Sequence, residues 1–161
     1  MGISCTLVAL SKDDVAQESI AGEERLELGS TWDVLEKLLT FEAPHLADAV
    51  HGKKGKKWGP SSGFGKGRLL SPKLVQSLAA ALRALDLDRV MSHYAKLDAE
   101  SVHGRFGPKP GAPSEYDDVL EAFEDLEERE EKAFLLSKLE ELVDFYRHAA
   151  LREDAVHTNV S

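Results

Sequence analysis

"GISCTLVAL", Gly2–Leu10, is a run of β-branched and apolar residues bounded by a turn signal, and it reads as a buried strand. "DAVHTNV", Asp154–Val160, has the same character at the other end of the chain. Between them the apolar spacing is mostly helical. Two terminal strands bury their apolar faces most readily by pairing in one sheet that helices cover. That predicts an α+β fold, a helix-rich single domain over residues 1–161 with a small sheet that includes both terminal strands. A doubly wound sheet would instead alternate strand and helix throughout.

The intervening elements follow from caps and periodicity. Ser11 with Asp14 three residues on predicts a capping box and a helix from Lys12 to about Ala21. "ERLEL" is a short extended piece. In "GSTWDVLEKLLTFE" Ser30 or Thr31 caps a helix whose Trp32, Leu35, Leu38 and Leu39 share one face. "PHLADAVHG" opens on Pro44 and closes on Gly52 as a further short helix. Ser71 and Pro72 start a helix that runs to about Leu85, and Asp88 to Lys96 form the next. "YDDVLEAFEDL" is helical with Val119, Leu120, Phe123 and Leu126 inward, and from Ala133 a stripe of Leu135, Leu139, Leu142, Tyr146 and Ala149 defines a long helix. The segment from Glu127 to Lys132 between them is exposed helix or a break. Two irregular segments are expected, a basic glycine-rich loop at 51–70 and a Pro/Gly-rich loop at 102–114.

The composition bounds function more than it defines it. The chain has 161 residues and a net charge of −9, unevenly distributed. Lys53, Lys54, Lys56, Lys57, Lys66 and Arg68 fall in an acid-free stretch, and subtracting those six from −9 leaves −15 elsewhere. Residues 115–131 alone carry −9. No apolar run approaches the roughly 18 residues of a membrane span. The N-terminus lacks a basic, apolar leader, so the expected setting is cytoplasmic. The Met-Gly-x-x-x-Thr start fits a lipidation pattern, but the strand reading of the same residues is preferred. Cys5 is the lone cysteine, which excludes an internal disulfide. Buried in a strand, its thiol would be inert.

"GPSSGFGKGRLLSP", Gly59–Pro72, invites comparison with a phosphate cradle. A P-loop requires G-x-x-x-x-G-K-[S/T], yet Pro60 stands at the first glycine and Gly67 at the hydroxyl that would hold magnesium. The dinucleotide pattern fails as well, because Arg68 occupies its third glycine. What survives is a turn in which Gly63, Gly65, Arg68 and the start of the Ser71-capped helix could hold an anion. Trp58 and Phe64 among six cations also have the composition of a nucleic-acid patch, although the acidic remainder of the chain opposes one. The six histidines fall on separate elements without ligand spacing and read as surface or half-buried residues, so no metal and no cofactor is expected. Carboxylates at 115–131 lack the apolar setting that separates the pKa values of an acid–base pair.

These segments together resemble the YfbM-like family of small bacterial proteins, a domain family of unknown function. Its members open with Met-Gly and a strand ending in Leu-Ser, as "MGISCTLVALS" does. "WDVLEKLLTF" is similar to a Trp-x-x-Leu-His-x-Leu-Leu-Thr-Gly motif through Trp32, Leu35, Leu38, Leu39 and Thr40. Glu36 stands at the histidine of that motif and Phe41 at its glycine. "GFGKGRLLS" resembles a Gly-aromatic-Gly-x-x-Arg-x-Leu stretch through Gly63, Phe64, Gly65, Arg68 and Leu70. Leu142, Phe145, Tyr146, Ala149 and Ala150 match a pattern that precedes a final strand. The departure lies at "SVHGRFGPKPGAP". The resemblance implies an α+β fold in a bacterial, cytoplasmic setting and supplies no reaction.

The leading expectation is a non-enzymatic protein-binding module, immunity-like in that it would cap a partner. Segregated charge can steer and orient such a partner. The alternative is a small-ligand or anion-binding protein, or an enzyme, with a pocket lined by Trp32, Glu36, Gly63, Gly65 and Arg68. Nucleic-acid binding through the basic-loop residues Lys53, Lys54, Lys56, Lys57, Trp58 and Lys66 is a second alternative. Oligomeric state is not legible.

Overall fold

A computed structural model of the chain describes residues 4–22, 24–62, 65–97 and 117–161, with the backbone alone for 61–62 and 117–127. The five strands β1 (Cys5–Leu10), β2 (Glu24–Gly29), β3 (Lys56–Ser62), β4 (Gly65–Leu70) and β5 (Ala155–Val160) form one antiparallel sheet in the order β2-β1-β5-β4-β3. The terminal strands are its centre. They pair from Cys5↔Val160 to Leu10↔Ala155, and Ser4 and Ser161 exchange backbone hydrogen bonds of 2.7 and 2.8 Å beyond them.

Alternation along the strands splits the apolar residues between two faces. Cys5, Leu7 and Ala9 of β1 join Leu26, Leu28, Leu70 and Val156 in the main core. Helices α2 (Trp32–Glu42), α3 (Pro72–Arg83), α4 (Leu87–Ser92) and α5 (Asp117–Leu151) cover that face. Leu135, Leu139, Leu142, Tyr146 and Ala149, the expected stripe of α5, are all buried in it. Removing one such leucine side chain would cost about 2–5 kcal/mol. The Tyr146 hydroxyl donates to the Ala49 carbonyl at 2.6 Å, so its polar end is satisfied in the core. On the other face Val8, Leu10, Leu69 and Ala155 form a smaller cluster with Val15 and Trp58.

The caps act as their chemistry requires. Ser11 and Asp14 complete the capping box of α1 (Lys12–Ala16), and the Ser71 hydroxyl accepts from the Leu74 amide at 3.2 Å. Helix α1 stops five residues short of the expected Ala21. Glu18 takes a left-handed conformation, φ 53°, and the Glu18 and Ser19 amides donate back to Val15 and Asp14. That is a Schellman ending with glutamate in the usual glycine position. "PHLADA" winds as a 3-10 helix, Pro44–Ala49, and a second one, His93–Lys96, extends α4. Helix α5 is continuous through residues 127–132, which settles that segment as helix.

The largest correction concerns residues 51–70. Most of this expected loop is the β3–β4 hairpin, which continues the sheet through Arg68↔Thr158, Leu69↔His157 and Leu70↔Val156. Pro60 is tolerated because β3 is an edge strand and the ladder register shifts between Lys57 and Ser61. The 102–114 segment, Gly63, Phe64 and the side chains of Val119, Leu120, Phe123 and Leu126 lie outside the described residues. Among the described residues no helix is long and apolar enough to cross a membrane.

Candidate functional site

The glycines of the hairpin are explained by close packing. A Cβ on Gly67 would lie 2.4 Å from both His157 Nε2 and the Thr158 carbonyl oxygen, and one on Gly59 would lie 2.9 Å from His157 Nε2. Whereas the histidines are expected at the surface or half-buried, His157 is fully buried, only 2% exposed. Its Nε2–H donates to the Trp58 carbonyl at 3.1 Å, and the two rings meet edge-on at 5.5 Å. Burial lowers the His157 pKa, and the bond to Trp58 opposes that shift. Trp58 is therefore packed on His157 and the smaller apolar cluster, away from Arg68.

Register places the cations. Lys57, Arg68 and Thr158 lie opposite one another on β3, β4 and β5, so their side chains share the sheet face that the helices cover further along. The helical layer stops short of the hairpin, leaving a cleft of about 530 Å³ between Trp32, His51 and this row. Gly65, Lys66, Gly67, Asn159 and Val160 complete its lining. No carboxylate is among these residues, in a chain of net charge −9. Arg68 also ties its own hairpin down, donating from Nη1 to the Gly55 carbonyl at 3.3 Å.

His51 is held by bonds both near and distant in the chain. Its amide donates to Ala47 at 3.0 Å, its carbonyl accepts from the Thr158 hydroxyl at 3.2 Å, and buried Asp48 accepts from the Lys54 amide at 3.1 Å. The Trp32 and His51 rings meet edge-on at 5.7 Å. Behind this pair lies a second, wider cleft of about 860 Å³, lined by Glu36, Asp33, Asp48, Lys53 and Lys54 among others. Glu36 sits there, 3.8 Å from His51 Nδ1. Burial raises its pKa, against the pull of His51, Lys53 and Lys37. Cys5, beneath the same helix, is pushed up to about 12 by burial and donates its thiol to the Val50 carbonyl at 3.6 Å.

The structure thus brings Trp32, Gly65 and Arg68 to one cleft and puts Glu36 in its neighbour, with the Trp32–His51 pair between. Ser71 and the start of α3 line a third cleft that Arg68 does not reach, so the two do not form a joint anion site. Sequence reasoning missed His51, Thr158, Asn159 and Val160, because only strand pairing brings β5 beside Arg68. Among the described residues no group of three or more His, Cys, Asp or Glu could hold a metal ion.

This helix-covered antiparallel sheet with joined termini is the architecture of a known domain class, and the chain belongs to the family described as a domain of unknown function, DUF1877, over residues 1–158. It is similar in fold to the crystal structure of YfbM, a protein of unknown function from Escherichia coli, with a TM-score of 0.62 and 17% identity. That likeness covers 98% of this chain and 99% of the other. No curated protein matches the chain.

Proposed function

We propose that the protein is a non-enzymatic binding protein for a small anion, held in the cleft between Trp32 and the β3–β4 hairpin. The observation that carries this reading is a lining without a carboxylate among the described residues, in which Lys57, Lys66 and Arg68 converge with His51. Arg68 supplies a planar donor fork already oriented by Gly55, and Trp32 supplies an apolar wall for the body of an organic phosphate or carboxylate. A bacterial cytoplasmic setting fits the family resemblance and the reduced, buried Cys5. The test is titration with inorganic phosphate and with phenyl phosphate, read by Trp32 emission in a Trp58→Phe background. Binding of phenyl phosphate should be the tighter, and Arg68→Gln should weaken it by about tenfold or more. Equal binding by the variant would overturn the reading.

A second reading, an acidic segment of a partner protein, is favoured by the exposed Lys53, Lys54, Lys56 and Lys57, which border three neighbouring clefts. An oligo-glutamate peptide that displaces phenyl phosphate at low salt would support it. Nucleic acid fits less well. Lys57, Lys66 and Arg68 line one cleft and Lys54 and Lys56 another, so they make no single stripe for a phosphate backbone.

A further inference from the structure

We infer that the opposite side of the same hairpin carries a second, independent site, which takes an amphiphilic anion: a free carboxylic acid with an extended apolar body. Neighbouring residues of the ladder point to opposite faces, so Lys57 and Arg68 serve the first cleft while Lys56 and Leu69 turn away from it. There they meet α1 and the start of α3 around a cleft of about 510 Å³. That volume lies within the range of about 300–1,000 Å³ usual for small-molecule sites.

The lining has the division of labour such a ligand needs. Leu10, Leu69 and Ala155 form a floor from the smaller apolar cluster, and Val15, Pro72 and Leu74 form walls. Of the rim hydroxyls, Ser11 donates to Asp14, while Ser71 accepts from the Leu74 amide. Charge is confined to the edge, where Lys12, Lys54 and Lys56 are exposed. Lys54 lies 3.9 Å from Asp48, a separation that leaves its ammonium group open to a further partner. Glu153 is the single carboxylate among the described residues of the lining. An apolar interior under a rim of net positive charge selects a molecule with an apolar body and one anionic end. A neutral chain would forgo the lysines, and a small hydrophilic anion would forgo the floor.

The test uses the full ¹⁵N-labelled chain titrated with decanoate below its micellar concentration, with decanol and acetate as controls. Saturable shifts at the Val15, Leu69, Leu74 and Ala155 amides are expected with decanoate, with at least tenfold weaker binding of both controls. Lys12→Gln/Lys56→Gln should weaken decanoate about tenfold. Both lysines are exposed, so the fold survives their replacement. Arg68→Gln should leave decanoate binding unchanged, which separates this site from the first cleft. Shifts centred on Trp32 and Arg68, equal binding of decanol, or no saturation would each overturn the inference. So would retention on phosphatidylglycerol vesicles without binding of free decanoate.

Discussion

Trp32 and His51 meet edge-on with ring centroids 5.7 Å apart and planes at 64°, and this one contact is the wall between a cationic cleft and one lined by charges of both signs. On one side stand Lys57, Lys66 and Arg68 without a carboxylate. On the other stand Glu36, Asp33 and Asp48 beside Lys37, Lys53 and Lys54. Trp32 comes from the first turn of α2 and His51 from the end of the 3-10 helix that follows it. The segment that joins them is short, so the wall is a local product of the fold, while the cationic side depends on pairing with a strand about 100 residues away.

Glu36→Gln is expected to stabilise the protein at neutral pH. Burial raises the Glu36 pKa in the folded state, so ionising it above the unfolded carboxyl value of about 4.3 favours unfolding. The wild type therefore loses stability as pH rises through the window between that value and the raised folded pKa. The variant, a mimic of the protonated acid, does not. Urea melts at pH 4 and pH 7 should show the two proteins alike at the lower pH and the variant ahead at the higher one. A variant less stable at pH 7 would show that the pull of His51, Lys53 and Lys37 outweighs burial.

Gly67→Ala should cost more than Gly65→Ala, by different mechanisms. The added methyl at 67 meets a ring nitrogen and a backbone carbonyl oxygen, both at 2.4 Å, and overpacking of this kind costs about 3 kcal/mol. At Gly65 an added methyl meets nothing within 4 Å among the described residues, and the positive φ of 91° opposes alanine by about 1–2 kcal/mol. Because a backbone oxygen shares the clash at 67, adding His157→Ala should not restore stability. Denaturant midpoints of the three variants check the order, and a rescued double variant would place the obstruction in the ring alone.

How far the sequence exposes this architecture depends on whether its signals are local. The terminal strands, the Ser11 and Ser71 caps, the face of α2 and the stripe of α5 are all visible because each rests on residues a few positions apart. The hairpin is not. Gly59, Pro60, Gly65 and Gly67 carry the composition of a loop, and what holds them extended is the β3–β4 ladder, the anchoring of β4 on β5 from Arg68 to Leu70, and the packing of His157 between Gly59 and Gly67. The same limit hides half the candidate site. Trp32 and Arg68 are legible as residues with chemistry to offer, but Thr158 becomes the neighbour of Arg68 only through strand pairing. Glu36, two turns of logic away on paper, proves to face the other side of the Trp32–His51 wall.

Glu153→Gly should stabilise the chain by about 0.5–1 kcal/mol. Glu153 follows α5 with φ 57°, and the Glu153 and Asp154 amides donate back to Ala150 and Ala149. Glycine adopts that conformation without the steric penalty of a Cβ. The carboxylate also stands at the negative end of a helix dipole, so its removal adds a small further gain. The neighbouring ion pairs of Arg152 with Glu24 and Asp154, both 2.8 Å, do not involve the Glu153 side chain. Thermal melts of the two proteins decide the point. A drop in midpoint would mean that Glu153 makes a compensating interaction in the folded state.

His157 should make the hairpin sensitive to acid. Burial lowers its folded-state pKa, while the unfolded chain titrates near 6.5. As pH falls below about 6.5 the unfolded state takes up the proton first, so stability is lost progressively until the lower folded pKa is passed. His157→Gln keeps an N–H that can reach the Trp58 carbonyl but carries no titratable group. Its stability at pH 7.5 should be below that of the wild type, since the ring that fills the space between Gly59 and Gly67 is gone. Between pH 7.5 and 5.5, however, its decline should be the shallower of the two. Trp58 emission, which reports on the ring contact at 5.5 Å, should follow the same profile in the wild type. Parallel declines in the two proteins would assign the acid sensitivity to another group and leave His157 a packing residue.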